Sequence, residues 1–305
     1  MATRHATTPT KRIDVSVGTA VAHHCPACES ASAQPGPRRF LRCPACGLLF
    51  ARDMKPGDEA WYQQTWIYAG GKTPTALSAQ EIEANWAWGT FLREAPVPKG
   101  GLLDVGCGRG DFVYAAQARG FDAEGIDFQP DLTRIGRELY GVRIACGDIW
   151  QALGNGRRFD VATAFEVVEH VADPLGLLRA MARVSHFVAV SVPSAERRPA
   201  LLSRGFDDPP HHLTLWTRAA LERAMSRAGL EIVFLRGDSY DPSHLGTYLS
   251  CLFGGKYPAA RYVRGAARRL GTALGGVVKP GDEGPFTLLA VGKRPDAGVE
   301  RNGAS

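Results

Sequence analysis

Three groups of residues in this sequence have the types and spacing to do chemistry. The first is Asp104-Val105-Gly106-Cys107-Gly108-Arg109-Gly110, an apolar stretch entering a Gly-x-Gly-x-Gly turn. Such glycines let the backbone reverse sharply and let a ligand approach the main chain without side chains in the way. A dinucleotide site calls for its third glycine one position later, to bring helix and strand together around a pyrophosphate. Asp111 stands there instead, and a carboxylate suits a diphosphate poorly, so an uncharged nucleoside with an aminoacyl tail fits better. Asp127 lies seventeen residues beyond Gly110, followed by Phe128, and can accept from both hydroxyls of a ribose. Asp148 can accept from an adenine amino group while Ile149 or Trp150 covers the ring face.

The second group is a pair of knuckles, Cys25-Pro26-Ala27-Cys28 and Cys43-Pro44-Ala45-Cys46-Gly47, fourteen residues apart. Each can turn two thiolates toward one tetrahedral ion, and four sulfurs make a closed structural zinc site that takes no part in chemistry. Two disulfides are the alternative. The count of seven cysteines and the lack of an apolar leader within residues 1–21 favour free thiols in a reducing, cytoplasmic compartment.

The third group is Glu166-Val167-Val168-Glu169-His170, with His211-His212 further along. One helical turn brings Glu166 near Glu169 and His170. In one reading a histidine (His170, His211 or His212) is the general base that deprotonates an acceptor. In another, Glu166, Glu169, His170 and one of His211 or His212 hold a divalent ion such as Mg2+ that orients acceptor oxygens. In a third, these polar groups only hold loops together. His186 reads as structural, and Cys107 and Cys146 as small buried residues rather than nucleophiles.

Seven strand candidates position these groups: Leu102–Val105, Ala123–Asp127, Val142–Cys146, Phe159–Phe165, Phe187–Val192, Glu231–Leu235 and Phe286–Val291. Helical patterns over Asp111–Arg119, Pro130–Leu139, Pro174–Arg183 and Arg218–Ala228 alternate with them, Thr217 standing as the N-cap of the last. Alternation of this kind predicts an α/β fold, a mostly parallel Rossmann-like sheet with helices on both faces. A further helix is predicted from Ser78 to Glu94, opened by a Ser78/Glu81 capping box and stopped by Pro96 and Pro98. The segments read as a disordered tail (1–20), a zinc ribbon (21–50), a linker with an aromatic cluster (Trp61, Tyr62, Trp66, Tyr68) and leading helix (51–100), an α/β domain (101–294) and a second tail (295–305).

With 305 residues, 45% of them hydrophobic and 22% charged, the chain suits a soluble α/β domain plus a small appendage. It has no apolar run long enough to span a membrane. A net charge of +5 is too mild to compel a nucleic-acid partner. In an insertion over 243–278, Arg261, Arg264 and Arg268, with Lys256 and Arg269, oppose a stripe of Val263, Ala267, Leu270 and Leu274 at helical spacing. This reads as an amphipathic helix with a solvated face, a surface for an anionic acceptor or nucleic acid, or a contact with a membrane surface.

Over residues 101–294 the sequence resembles the class I S-adenosylmethionine (SAM)-dependent methyltransferases. Asp104 to Gly110, Asp127, Gly147-Asp148, Phe159-Asp160 and Glu166 to Val171 carry the likeness, in the order that family shows. It implies a seven-stranded sheet with the last strand antiparallel and bound SAM. Asp104, Gly106, Cys107, Gly108, Gly110, Asp127, Phe128, Asp148, Ile149 and Glu166 would then line the cofactor site. The Glu-x-x-Glu-His pattern is similar to that of ubiquinone-pathway O-methyltransferases and small-RNA 2′-O-methyltransferases, where such residues are associated with metal. The ribbon-plus-methyltransferase layout resembles bacterial enzymes acting on sugars or specialised metabolites, including deoxysugar C-methyltransferases, which are longer and carry a further C-terminal domain. The likeness implies methyl transfer to an O, N or C atom of a small-molecule acceptor, a sugar or specialised metabolite. The basic insertion, where the family often covers its acceptor pocket, suits an anionic or nucleotide-linked one. An RNA methyltransferase and a non-catalytic SAM-binding protein are the competing readings. The ribbon's Arg38, Arg39 and Arg42 interleave only Phe40 as a stacking aromatic, which disfavours RNA.

Overall fold

The computed structural model describes residues 24–58, 61, 75–150, 156–197, 207–238 and 284–295. The N-terminal tail, all but the first residue of the C-terminal tail, the insertion 243–278 and Tyr62, Trp66 and Tyr68 lie outside them. In chain order the elements are β1 (Gln34–Pro35), β2 (Phe40–Arg42), β3 (Leu49–Ala51), α1 (Ala79–Glu83), α2 (Trp86–Glu94), β4 (Gly101–Val105), α3 (Asp111–Ala118), β5 (Asp122–Asp127), α4 (Pro130–Tyr140), β6 (Ile144–Cys146), β7 (Phe159–Phe165), a 3-10 turn (Val168–His170), α5 (Pro174–Val184), β8 (Ser185–Pro193), β9 (Thr214–Leu215), α6 (Arg218–Arg227), β10 (Glu231–Gly237) and β11 (Thr287–Lys293).

The main sheet has seven strands in the order β10-β11-β8-β7-β4-β5-β6. β11 runs antiparallel to both its neighbours and the other pairings are parallel. Strands buried on both faces read as continuous apolar runs, and β4 shows why. Its Leu102 packs toward Phe91, Phe112 and Phe165, while Leu103 packs toward Leu178, Met181 and Leu221 on the opposite face. Phe112 and Phe165 meet edge to face at 4.7 Å, a compact plug beneath the turn that follows β4. None of the helices described is long and apolar enough to cross a membrane.

The predicted helix over Ser78–Glu94 is two helices. Its capping box forms, Ser78 Oγ accepting from Glu81 N at 3.3 Å and Glu81 Oε2 from Ser78 N at 2.9 Å. The break comes at Asn85, whose backbone is extended and whose Oδ1 accepts from Ala87 N and Trp88 N. Asparagine competes for backbone donors, so it starts a new helix where apolar periodicity alone suggests continuity. The third predicted strand begins at Ile144 rather than Val142.

A second sheet has the order β1-β2-β3-β9, all antiparallel. Its first three strands belong to the cysteine segment, but β9 follows β8 of the main sheet by some twenty residues, so the two regions are stitched together by backbone pairing. Thr217 does cap α6, accepting from Ala220 N at 3.0 Å, and its hydroxyl also donates to Cys46 O at 2.6 Å.

Candidate functional site

The turn after β4 is built as its glycines require. Gly106, Gly108 and Gly110 have φ of +69°, +55° and +76°. A Cβ on Gly106 would lie 2.6 Å from Val167 Cγ2, whereas one on Gly108 would meet nothing within 4 Å and would project into open space. Asp127, at the end of β5, accepts from Gly108 N at 2.8 Å through Oδ2 and from Gln129 N at 2.9 Å through Oδ1. One carboxylate therefore ties two turns together at the edge of the sheet. Even so, burial raises its pKa above the ordinary value. Asp104 lies beneath the turn, fully enclosed. Burial raises its pKa to about 7, against the hydrogen bond that Thr163 Oγ1 donates to it at 2.6 Å.

These turns line a cavity of about 1000 Å3, to which Phe128, Asp148, Ile149, Trp150, Glu166, Glu169 and all three histidines also contribute. Asp148 Oδ1 accepts from Trp150 N at 2.9 Å. Ile149 is buried, while Phe128 and Trp150 stand half exposed at the cavity wall. Asp111 does not present a bare charge: Arg109 Nε donates to it at 2.7 Å and the Tyr140 hydroxyl bonds its other oxygen. Cys107 is half-buried in the turn, and burial pushes its thiol well up. Cys146 is exposed, contrary to expectation, because β6 is an edge strand and its last two residues face outward.

At the far end of the cavity the structure gathers the third group. Glu166 adopts a left-handed backbone (φ +54°), and its Oε1 accepts from Ser191 Oγ at 2.9 Å. Glu169 is fully buried, and neither carboxylate oxygen has a hydrogen-bond partner among the described residues. Burial, with Glu166 beside it, pushes its pKa well up. His170 Nε2 lies 3.8 Å from Glu169 Oε1, while its Nδ1 lies 2.6 Å from His211 O, an arrangement in which Nδ1–H donates. The sequence reading paired His170 with one of His211 and His212. The structure brings both, with ring centroids 4.9 and 5.0 Å from that of His170 and a ring nitrogen of each of the three within 4.8 Å. Burial, then the neighbouring imidazoles, lower the pKa of His170 to about 3.

Two residues here had no role in the sequence reading. Asp207 and Arg197 form a buried ion pair, and Asp207 Oδ1 lies 3.3 Å from His212 Nδ1. Their positions in the chain give no periodic signal; only burial beside an imidazole marks them. The loop carrying the histidines is held on both sides. Leu213 N donates to Glu169 O at 2.7 Å, and Leu213 O accepts from Ala51 N of β3 at 2.8 Å.

The four cysteines of the knuckles converge. Sγ of Cys25 is 3.6 Å from that of Cys46, and Cys28 stands equally far from Cys43. A tetrahedral ion with bonds of about 2.3 Å would space its sulfurs about 3.8 Å apart. The Cys46 thiol beside it lowers Cys25 to about 5 and is itself raised.

Asp104 makes a testable contribution to stability. The folded chain holds its proton more tightly than the unfolded chain, so its contribution falls as pH rises from 3.8 to about 7. An Asp104→Asn variant should therefore gain on the native chain across that window, by at most about 4 kcal/mol. Urea midpoints measured at pH 4 and pH 7.5 without cofactor check this; an unchanged difference between the two proteins would refute it.

The comparisons agree with this geometry. Residues 80–235, just over half of the chain, match the model of a family described as a methyltransferase domain. A ubiquinone biosynthesis O-methyltransferase of Thiobacillus denitrificans is 30% identical over 170 residues, covering 48% of this chain and 72% of that protein. Its namesake from Methylococcus capsulatus is 28% identical over 184 residues, covering 52% and 74%. Among solved structures, a SAM-dependent methyltransferase from Archaeoglobus fulgidus aligns with a TM-score of 0.48 at 17% identity, over 71% of this chain and 94% of that one. With the glycine turn, the acids at the strand ends and the antiparallel last strand all in their places, the chain belongs to the class I SAM-dependent methyltransferases.

Proposed function

We propose that this methyltransferase acts on a hydroxyl oxygen of a small acceptor with an apolar body, and that Glu169, His170, His211 and His212 hold a divalent cation at that end of the cavity. The observation that carries the reading is Glu169, a buried carboxylate with both oxygens unpartnered among the described residues, beside three clustered imidazoles. Burial and Glu166 keep the proton on this acid, and a cation beside it would let it ionise and ligate. His170 directs Nδ1 at the carbonyl oxygen of His211, which supports the tautomer that presents Nε2 as the ligand atom. An imidazole kept neutral down to about pH 3 is a weak general base, yet neutral is the state a metal ligand needs. Glu166 belongs less to this set, since Ser191 already occupies one of its oxygens. Three nitrogens and one carboxylate suit a first-row ion such as Mn2+ or Zn2+ better than the Mg2+ anticipated, which prefers all-oxygen surroundings.

The cradle fits SAM: the turn leaves open space at Gly108, Asp127 suits the ribose, Asp148 suits the adenine edge, and Phe128, Ile149 and Trp150 suit the ring. SAM supplies an activated methyl, and the cation would orient the acceptor oxygen and favour its ionised form. The chain's own residues hold the two reactants in one cavity, exclude water with the buried histidine loop, and set the tautomer of His170. Apolar Trp88, Val171 and Leu177 line the cavity, and Arg109, the only arginine lining it among the described residues, is paired with Asp111. Together with relatives named as O-methyltransferases, this favours a neutral hydroxyl acceptor over the anionic sugar conjugates first considered. Cys25, Cys28, Cys43 and Cys46 suit a structural Zn2+.

Methyl transfer from labelled SAM to a vicinal diphenol, by chelator-treated protein refilled with one equivalent of Zn2+ for the cysteines and then with Mn2+, tests the reading. Activity should return with the ion, and His170→Ala should lower kcat by about a hundredfold with SAM affinity retained. Full activity after removal of every ion from this cluster would overturn the cation and leave a histidine acting as a base.

A further inference from the structure

The end of the main sheet farthest from the cofactor cavity carries a cluster of arginines that methyl transfer does not use. Arg158 immediately precedes β7, Arg179 and Arg183 lie on the last turns of α5, and Arg294 immediately follows β11. The cofactor cavity lies where β4, β5 and β7 end; here β7 begins and the antiparallel β11 finishes. All four arginines are exposed and line one concavity of about 550 Å3, floored by small residues including Ala182 and Gly229.

The protein does little to balance this charge. Glu29 is the one carboxylate that reaches the cluster among the described residues, and it is shared between Arg179, at 3.2 Å, and Arg227. Arg158, Arg183 and Arg294 have no carboxylate within ion-pair distance among the described residues. Among the described residues Arg158 and Arg294 bond only main-chain carbonyls, those of Gly156, Arg157 and Ala182. Favourable helix-end placement does not account for the cluster. The C-termini of α5 and α6 each carry about half a negative charge. Together they offset one guanidinium, and Arg158 and Arg294 stand on no helix. Like charges gathered around a hollow cost free energy unless an anion shares them. Guanidinium groups recognise phosphate as planar forks with paired donors, so several around one hollow suit a ligand with several phosphate oxygens.

We propose that this concavity is a second ligand site, binding a compact polyanion with two or more phosphate groups, free or as the head of a phosphorylated lipid. Convergence on a hollow, rather than extension along a stripe, favours a compact ligand over a nucleic-acid backbone.

Calorimetric titration of the full chain with tripolyphosphate at low ionic strength tests the site. Binding is expected, and it should weaken as salt is added. The variant combining Arg158→Ser, Arg183→Ser and Arg294→Ser should bind at least about tenfold more weakly. Retained SAM binding by that variant reports that it is folded, and the basic insertion, left intact in it, serves as an internal control. Vesicles of phosphatidylcholine with a bisphosphorylated lipid separate the sources: retention that depends on the three arginines assigns the ligand to a lipid head, and tripolyphosphate binding alone assigns it to a free polyanion. Absence of tripolyphosphate binding by the native chain, equal binding by the variant, or binding of an RNA oligomer alone would overturn the proposal.

Discussion

Substituting Asp127 with Ala should weaken SAM binding by at least about a hundredfold and leave a chain that still folds. Its carboxylate accepts from Gly108 N and Gln129 N, so it shapes the cradle before any ligand arrives. In the bound state it would also accept from the ribose. Hydrogen bonds to a charged group contribute about 1.5–3 kcal/mol each, and loss of two such bonds corresponds to about two decades or more in affinity. Asp127→Asn keeps an acceptor oxygen and the shape but loses the charge, so it should fall between, about tenfold weaker. Because burial already raises the pKa of this carboxyl, removing it relieves a desolvation cost and should not unfold the sheet. Calorimetry with SAM and with its demethylated product, alongside urea unfolding, checks each part. Native-like affinity in the Ala variant would show that the cradle is built some other way.

The second large effect is expected from the cysteine cluster, thirty residues or more from any other site residue in the sequence. Purified protein should contain one zinc per chain bound by Cys25, Cys28, Cys43 and Cys46, and Cys43→Ser should lose it. Methyl transfer should then fall by about a hundredfold or more while SAM binding changes little, because the damage reaches the histidine loop and not the cradle. The route is explicit. The knuckle carbonyl of Cys46 accepts from Thr217, β3 pairs with β9, Ala51 N donates to Leu213 O, and Leu213 N donates to Glu169 O. Arg38 and Asp208 add an ion pair at 3.1 Å across the same junction. Four thiolates without their ion repel and swell the knuckles, and a structural zinc supplies about 10 kcal/mol or more toward keeping such a module folded. Hydrogen exchange over 207–217 should rise in the variant. A zinc-free protein with full methyl transfer would break the link.

Nearly all of the turn geometry at the edge of the sheet where β4, β5 and β6 end was legible in the chain. The glycine turn, Asp127 and Asp148 are set by their own neighbours: a buried strand must end, a turn must follow, and the next helix must begin, so spacing along the chain translates directly into position at the sheet edge. The same holds for the two knuckles, where each pair of thiols is brought together by a turn of a few residues. The break at Asn85 was missed because a cap is decided by one side chain reaching two backbone donors, which apolar periodicity does not register. Cys146 was read as buried from its residue type, whereas the edge position of β6 exposes it.

Composition and periodicity could not reach the acceptor side. Asp207 meets His212 and Glu169 is buried only once the loop packs, and the cysteine segment lends a strand partner to β9 only after the chain has folded back across more than a hundred and fifty residues. Local sequence dictates which backbone shapes are affordable, since steric limits and hydrogen-bond partners act over a few residues. Burial and charge pairing depend on every element at once, and so the buried carboxylate, the neutral imidazole of His170 and the crowded arginines at the opposite edge emerge only from the packed fold.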